Sequence, residues 1–281
     1  MKLGTSEIFS LSDGTFRLDG GAMFGVVPKT LWEKSSPPDN RNRILLSLGV
    51  LLVKAGGKNI LVDTGIGNKS TDKFNDLYDV RRTPLEQELS RLNLSPESID
   101  IVINTHLHFD HAGGNTRKKG DGSLEPAFPR AQFYVQRKEW EAAFHLNERT
   151  KASYLGENYA LLEKTGQLKF LEGDQQVMKG IRVIETPGHT EHHQSVLIGD
   201  GKEKACFLGD LIPTTAHLSP PWIMGYDLFP LVTLQTKKQI LQQAFEEKWL
   251  LIFQHDPLVR SGYLEEKNGK FILAPFPIPE Q

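Results

Sequence analysis

The sequence almost lacks cysteine, because Cys206 is the only one in 281 residues. A disulfide framework within the chain is therefore excluded, and such cysteine usage is typical of a reducing compartment. No run reaches the roughly 18 consecutive apolar residues of a membrane span. The first residues, MKLGTSEIFSLSDG, also lack the apolar core of a signal peptide. We therefore expect a cytoplasmic protein with no membrane partner.

A surplus of positive charge is also missing. The 33 Lys and Arg residues are outnumbered by 35 Asp and Glu residues, which gives a formal net charge of -2. Proteins that bind nucleic acids usually carry a basic excess or patch, so we expect no nucleic-acid partner. The content of 38% apolar and 24% charged residues is ordinary for a globular protein. Because no linker-like segment divides the chain, we predict a single domain over residues 1–281.

Apolar runs of strand character alternate with helical patterns in both halves of the chain. The predicted strands are residues 43–53, 59–62, 99–104, 131–135, 181–185, 194–198, 204–208 and 249–253, with a final hairpin at 263–273. Helices are predicted at residues 84–94 and 234–248, and a polar Gly/Pro loop at 118–129. This alternation predicts an α/β fold in which two sheets pack on each other with helices outside.

The most specific motif is THLHFDHAGG, residues 105–114, which directly follows a predicted strand. His106 and His108 are two residues apart, so in extended backbone their side chains point the same way. Asp110 and His111 follow where the strand should end. Imidazole and carboxylate groups suit zinc, iron, cobalt or manganese. The motif therefore predicts a metal site at the end of this strand.

Three further polar residues follow apolar strands downstream. They are His189 in IRVIETPGHT, Asp210 in ACFLGDLI and His255 in LLIFQHD. With the four residues of the first motif they make seven candidate ligands, too many for one four-coordinate ion. Such a set suits two divalent ions about 3.5–4 Å apart, bridged by a carboxylate and by water.

The succession HLHFDH, PGHT, GD and a late histidine resembles the metallo-β-lactamase superfamily over nearly the whole chain. The resemblance implies an αββα sandwich with the metals at one edge of the two sheets. It also implies a role for each ligand: His106, His108 and His189 hold one metal, Asp110, His111 and His255 hold the other, and Asp210 bridges them. Asp63, in ILVDTG, matches an aspartate that supports the metal histidines in this superfamily.

Several branches of the superfamily fit less well. Zinc β-lactamases usually have cysteine at the position of Asp210, and Cys206 lies in a strand pattern that predicts a core residue. Redox diiron relatives replace motif histidines with acidic residues, whereas this chain keeps the hydrolytic pattern. RNA-processing relatives carry extra basic modules, and none is visible in this sequence.

The segment GGAMFGVVPKTLWEK, residues 20–34, and the ligand spacing resemble the quorum-quenching lactonases, particularly the YtnP-like branch, which is related to methyl parathion hydrolase. This resemblance implies a homodimer that opens the ring of N-acyl-homoserine lactones by attack of a metal-bridging hydroxide. Asp110 could pass a proton to the leaving alkoxide, and Asp210 would hold the two metals around the hydroxide. Phosphotriesters or other esters, cleaved at the same site, are the alternative substrates.

One departure from the lactonases concerns the residues after Asp210. Well-known members carry a tyrosine there, aimed at the substrate carbonyl, but this chain reads LIPTT. The candidate substrate contacts are Met23, Phe24, Trp32, His217, Trp222 and Met224. Core packing is the alternative for Met23, Phe24 and Trp32, and an exposed loop position for His217. The aromatic, Pro-rich loop of residues 219–230 is either a substrate wall or a dimer contact.

Overall fold

The computed structural model describes residues 1–278, and β-strands form most of its framework. In chain order the strands are β1 (Lys2–Leu3), β2 (Ser6–Asp19), β3 (Arg43–Ala55), β4 (Lys58–Val62), β5 (Arg81–Arg82), β6 (Ile101–Ile103), β7 (Thr116–Lys118), β8 (Leu124–Pro126), β9 (Gln132–Gln136), β10 (Leu168–Leu171), β11 (Gln175–Met178), β12 (Ile181–Glu185), β13 (Gln194–Ile198), β14 (Ala205–Phe207), β15 (Leu250–Ile252), β16 (Ser261–Lys267) and β17 (Lys270–Pro275). The helices are α1 (Gly20–Phe24), α2 (Lys29–Trp32), α3 (Asp72–Tyr78), α4 (Leu85–Arg91), α5 (Phe109–Ala112), α6 (Arg137–Phe144), α7 (Ala160–Lys164) and α8 (Pro230–Glu246). None of the helices in residues 1–278 is long and apolar enough to cross a membrane.

The strands form two large mixed sheets and one small hairpin. The first sheet has the order β1-β2-β3-β4-β6-β9-β10, with β5 paired to β2, and its second half is parallel. The second sheet runs β11 to β17 in sequence order, and only its β14–β15 pair is parallel. Strands β7 and β8 pair separately. Parallel neighbours require crossover connections, which is why helices lie between them in the chain.

Three apolar clusters show how the layers pack. The cluster between the sheets includes Leu51, Val53, Val62 and Ile103 from the first sheet and Val183, Val196, Phe207 and Ile252 from the second. On the outer face of the first sheet, α4, α6 and α7 pack against residues such as Leu52 and Val102. On the outer face of the second sheet, α8 packs against Leu251 and Cys206. The αββα sandwich implied by the resemblance is therefore confirmed, and Cys206 is a core residue.

The longest strand, β2, was not predicted. Its sequence contains Asp13-Gly14, a pair typical of turns, and the pairing of β2 with β3 shifts register between Ser12 and Thr15. The Asp13 carboxylate is buried there and forms an ion pair of 2.8 Å with Arg82. A bulge with an internal ion pair thus allows a turn-like sequence to remain within one strand.

Two other predictions differ from the structure in detail. Helix α8 begins at Pro230 rather than at residue 234, because proline at the first helical position needs no hydrogen-bond partner for its nitrogen. It ends at Glu246, and Lys248 beyond it has a left-handed φ of 55°. The segment of residues 118–129, predicted as a loop, contains β8, which pairs with β7 in a short hairpin.

Helix α8 also carries a buried lysine that holds the loop of residues 219–230. Lys237 is 1% exposed, and its Nζ donates hydrogen bonds to the carbonyl oxygens of Ser219 and Trp222 at 2.9 and 2.8 Å. Burial lowers the pKa of Lys237 to about 7, although the charge of Asp227 opposes this shift. The start of the loop is therefore anchored to the helix through one ammonium group.

Lys237 makes the free energy of unfolding depend on pH. The unfolded chain holds the proton up to about pH 10.5, whereas the folded chain releases it near pH 7. Raising the pH from 7 to 9 should therefore stabilise the folded state, by up to about 1.4 kcal/mol per pH unit. The variant Lys237→Met should lack this contribution. Denaturant unfolding of both proteins at several pH values measures it, and parallel pH profiles would contradict the prediction.

Candidate metal centre

The seven predicted ligands come together where strands of both sheets end. His106 and His108 follow β6 of the first sheet, and Asp110 and His111 lie in α5, directly after them. The remaining three follow strands of the second sheet: His189 after β12, Asp210 after β14 and His255 after β15. Each of the seven side chains is at most 9% exposed. Both halves of the chain therefore contribute to one buried polar cluster.

Three histidines form the first group of ligand atoms. Potential ligand atoms of His106, His108 and His189 all lie within 4.8 Å of one another. His189 Nε2 is 3.1 Å from His108 Nδ1 and 3.2 Å from Asp210 Oδ2. One carboxylate oxygen of Asp210 thus approaches this group.

The second group contains Asp110, His111 and His255, whose ligand atoms also lie within 4.8 Å of one another. The Nε2 atoms of His111 and His255 are 3.2 Å apart, and Asp110 Oδ2 is 3.7 Å from each. Asp210 Oδ1 is 3.0 Å from His255 Nε2 and 3.4 Å from His111 Nε2. The Asp210 carboxylate therefore lies between the groups, with one oxygen toward each.

In three of the rings, a hydrogen bond on the side away from the centre of the cluster shows that Nδ1 carries a proton. His255 Nδ1 donates to the Ser47 carbonyl at 2.7 Å, and His189 Nδ1 donates to Asp227 Oδ1 at 2.9 Å. His111 Nδ1 similarly donates to Asp63 Oδ2 at 2.9 Å. With Nδ1 protonated, the Nε2 atom of a neutral imidazole carries only a lone pair. When these rings are neutral, as ligation of a metal requires, the three lone pairs converge on the centre of the cluster.

The donor atoms fit divalent metal ions. His106 Nε2 and Asp210 Oδ1 are buried and have no hydrogen-bond partner in residues 1–278, and leaving such an atom unpaired costs about 1–3 kcal/mol. Two nitrogens at about 2.0–2.1 Å from a tetrahedral zinc ion would be about 3.3 Å apart. The observed 3.2 Å between the Nε2 atoms of His111 and His255 agrees with this separation. A cation at each group would satisfy atoms that the protein leaves unpaired.

The electrostatics of the cluster agree with this fit. Burial, together with the neighbouring histidines, holds the pKa values of His106 and His108 well below their usual range, so both rings are neutral. Burial alone would raise the pKa of Asp210, but the surrounding histidines hold it well below its usual range. Burial acts to lower the pKa of His111, yet Asp210 and Asp110 raise it well above the usual range. A proton on His111 and a metal cation therefore compete for the same place beside the Asp210 and Asp110 carboxylates.

Asp63 lies behind the cluster at the end of β4, in a left-handed conformation with φ of 57°. Besides the bond to His111, its carboxylate accepts hydrogen bonds from the Thr105 amide and the Thr105 hydroxyl, both at 2.8 Å. The Thr105 hydroxyl is also 3.1 Å from His106 Nδ1. Asp63 thus orients one histidine of each group, one directly and one through Thr105.

Two supporting residues were missed by the sequence analysis. Asp227 fixes the ring of His189, as described above. His193 is fully buried, its Nε2 accepts a hydrogen bond of 3.1 Å from the Asp210 amide, and its Nδ1 is 2.8 Å from the Thr186 hydroxyl. Burial lowers the pKa of His193 to about 3, so it remains a neutral acceptor. The only sequence signal was the repeated histidine in HTEHH, whose spacing does not distinguish a ligand from a support.

A cavity of about 260 Å³ opens onto the cluster. His108, Asp110, His189, Asp210 and His255 form its polar end. Its apolar lining consists of Leu18, Met23, Leu46, Phe109, Ala152, Met224 and Leu228. Its remaining polar lining consists of Tyr78, Arg149, Thr150, Ser153 and Tyr226. A polar end with convergent ligands and largely apolar walls is typical of a small-molecule site.

The predicted substrate contacts divide into two sets. Met23 and Met224 line the cavity, whereas Phe24, Trp32 and His217 do not and are at most 1% exposed. Phe24 stacks between Trp32 and His217, with ring centroids 5.2 and 4.7 Å away. Trp222 is half-buried against the edge of Phe24, also outside the lining.

These four residues, predicted as substrate contacts, lie outside the cavity lining. His217 Nε2 donates to the Met23 carbonyl at 2.8 Å, so this histidine supports the cavity wall from behind. It is neither a cavity residue nor an exposed loop residue.

Two tyrosines of the cavity lining, Tyr78 and Tyr226, were also missed. Among residues 1–278 neither hydroxyl has a hydrogen-bond partner, and both side chains are half-buried. Burial raises the pKa of both hydroxyls, and the charge of Asp110 raises both further. Both therefore remain protonated donors near the metal ligands. Tyr226 lies in the loop of residues 219–230, whereas no sequence signal marked Tyr78.

The support of His189 by Asp227 can be tested by metal binding. Asp227→Asn keeps the size of the side chain but removes the charge that orients and polarises the ring. Zinc affinity, measured by competition with a chromophoric chelator, should fall about 10- to 100-fold. The exposed Asp76 provides a matched control, because Asp76→Asn should bind zinc as the wild type does. Equal affinities of all three proteins would contradict this role for Asp227.

Comparison with known proteins agrees with this geometry. The model of the metallo-beta-lactamase superfamily matches residues 50–255, a range that includes all seven candidate ligands. An N-acyl homoserine lactonase from a Bacillus species is 33% identical over 211 residues, which cover 70% of this chain and 76% of that protein. These matches extend over most of the chain.

Solved structures share the fold. A probable metal-dependent hydrolase from Staphylococcus aureus is 32% identical, with a TM-score of 0.89 over 98% of this chain and 99% of its own. AidC, a dizinc quorum-quenching lactonase in complex with the product N-hexanoyl-L-homoserine, is 23% identical, with a TM-score of 0.82 over 99% and 96%. The likeness to AidC is evidence for the fold alone. By its sequence, its fold and its His/Asp cluster, this chain belongs to the metallo-beta-lactamase superfamily.

Proposed function

We propose that this protein is a dinuclear metal-dependent hydrolase that opens the lactone ring of N-acyl-homoserine lactones. The observation that carries the proposal is the position of Asp210, which directs one oxygen toward each of two ligand groups at the polar end of a cavity. The substrate class is supported by the named activity of the Bacillus relative.

Each of the two ligand groups would hold one metal ion. His106, His108 and His189 would hold one ion, Asp110, His111 and His255 the other, and Asp210 would bridge them. When bound, two such ions supply hydroxide at neutral pH and a Lewis acid for the carbonyl oxygen. Zinc suits this set best, and iron, cobalt and manganese also accept it.

The protein's own groups complete the reaction. Asp110 would hold a metal and also lines the cavity, so its carboxylate can take a proton and deliver it to the leaving alkoxide as the ring opens. Tyr78 and Tyr226 can donate hydrogen bonds to the lactone carbonyl, whose oxygen gains negative charge in the transition state. These donors would replace the tyrosine that related lactonases carry after the bridging aspartate.

The remaining lining binds the rest of the substrate. Met23, Leu46, Met224 and Leu228 offer an apolar surface to an acyl chain. Burying each CH₂ group there is worth about 0.8 kcal/mol. Arg149 fixes this wall, because its guanidinium donates to the carbonyls of Gly225 and Asp227 at 2.7 and 3.2 Å.

The proposed activity is tested by hydrolysis of a long-chain N-acyl-homoserine lactone, followed by mass spectrometry. The zinc-loaded protein should reach a kcat/KM above about 10⁴ M⁻¹s⁻¹, and a chelator should abolish the activity. Asp210→Asn should lose one metal or most of the activity, because an amide is a weaker ligand than a carboxylate.

His145→Ala provides the control for Asp210→Asn. His145 is exposed at the end of α6, outside the cluster, so the variant should keep both metals and full activity. Full activity of Asp210→Asn with two metals bound would refute the bridging role. No turnover of the lactone by the doubly loaded protein, with rapid cleavage of paraoxon, would favour the phosphotriesterase alternative.

The tyrosine donors can be tested separately. Tyr226→Phe keeps the ring and removes the hydroxyl, so kcat for the lactone should fall, by up to about 10²-fold as for the loss of one oxyanion donor. Tyr263→Phe, which changes a tyrosine outside the cavity, is the matched control. Unchanged kcat in both Tyr226→Phe and Tyr78→Phe would exclude these hydroxyls from the reaction.

We also propose a homodimer, as the resemblance implies. At the start of α8, Phe229, Leu231 and Val232 are 40%, 76% and 43% exposed, which is unusual for adjacent apolar side chains. Light scattering coupled to size exclusion measures the mass, and a value near the 31.6 kDa of one chain would contradict a dimer.

A further inference from the structure

A buried carboxylate outside the metal cluster is not used by the proposed reaction. Glu139, on α6, is 1% exposed, and no salt bridge among residues 1–278 includes it. Its Oε1 accepts hydrogen bonds from the Leu107 amide at 3.1 Å and the Tyr154 hydroxyl at 2.7 Å. Its Oε2 accepts one from the Thr190 hydroxyl at 2.8 Å. Burying a carboxyl group costs free energy of desolvation, so its retention calls for a physical reason.

The contacts with Leu107 and Thr190 join both chain segments that carry the three-histidine group. Leu107 lies between His106 and His108, directly after β6 of the first sheet. Thr190 follows His189 and is itself 1% exposed, after β12 of the second sheet. One carboxylate therefore fixes the backbone next to all three histidines, although they come from different sheets.

The contact with Tyr154 joins the three-histidine group to the cavity wall. The Tyr154 ring packs against His108 with centroids 4.6 Å apart at 74°. The preceding residue, Ser153, accepts a hydrogen bond of 2.9 Å from the Phe109 amide, and residues 149, 150, 152 and 153 line the cavity. Glu139 thus contacts the metal-binding segments and the wall through three separate donors.

We propose that Glu139 is a positioning residue of the three-histidine metal site, which it holds together across the two sheets. This inference rests on the proposed function, because it assumes that the histidines bind a metal. Glu139 acts through Leu107 and Thr190 and does not touch the substrate. Groups at this distance from a metal tune its affinity through the orientation of its ligands.

The test uses zinc affinity, which needs no substrate. Zinc binding to the full chain is measured by competition with a chromophoric chelator, and the visible spectrum of the cobalt-loaded protein reports ligand geometry. Glu139→Gln should weaken binding of one of the two ions about 10- to 100-fold and change the cobalt spectrum. Glu141→Gln is the matched control, because Glu141 is exposed on the same helix; it should behave as the wild type.

A second pair of variants keeps the test valid if Glu139→Gln does not fold. Thr190→Val removes the hydroxyl at nearly constant volume and should weaken zinc binding to a similar extent. Thr190→Ser restores a hydroxyl and should recover most of the loss. Tyr154→Phe keeps the ring on His108, so its zinc affinity should fall less than that of Thr190→Val.

The outcomes separate this inference from the proposed function. If the wild type binds two zinc ions and neither Glu139→Gln nor Thr190→Val differs from it, the role of Glu139 is overturned while the hydrolase proposal stands. If Thr190→Ser is as defective as Thr190→Val, the hydrogen bond to Glu139 is not what matters, and the inference is also overturned. A wild type that binds no zinc would overturn both proposals.

Discussion

The rest of the site depends on one constraint, the convergence of imidazole Nε2 atoms on the Asp210 carboxylate. Lone pairs at 3.0–3.4 Å from a carboxylate oxygen repel it unless a cation or a proton lies between them. The protein enforces this arrangement from behind, since Asp63, Asp227 and the Ser47 carbonyl hold the Nδ1 protons away from the centre. These outer hydrogen bonds therefore set the orientation in which the rings face the centre.

The two-sheet architecture explains how so many ligands reach one place. Strand β6 ends at the first motif, while β12, β14 and β15 of the other sheet end at the later ligands. Tight apolar packing between the sheets fixes their relative position, and close-packed interiors allow little adjustment. The ends of strands can then present polar side chains with the precision that metal coordination demands, and Glu139 adds a direct polar connection between the two sides.

Sequence alone predicted the seven candidate ligands that the structure brings together, because each is a polar residue directly after an apolar strand, where packing alone does not favour one. It could not identify Asp227, His193 or Glu139, because their partners are distant in the chain and their residue types are common on surfaces. It assigned Phe24, Trp32 and His217 to the substrate because aromatic composition does not distinguish the lining of a cavity from the layer behind it. Tyr78 and Tyr226 could be recognised as candidate donors only from their position in the cavity lining.

In the proposed site the Asp210 carboxylate joins two metal ions. Crystals of the zinc-loaded protein, measured on both sides of the zinc absorption edge, would test it most directly. The account predicts two anomalous peaks about 3.5–4 Å apart, one on each side of Asp210. A single peak at saturating zinc, or two peaks with Asp210 bound to only one of them, would contradict it.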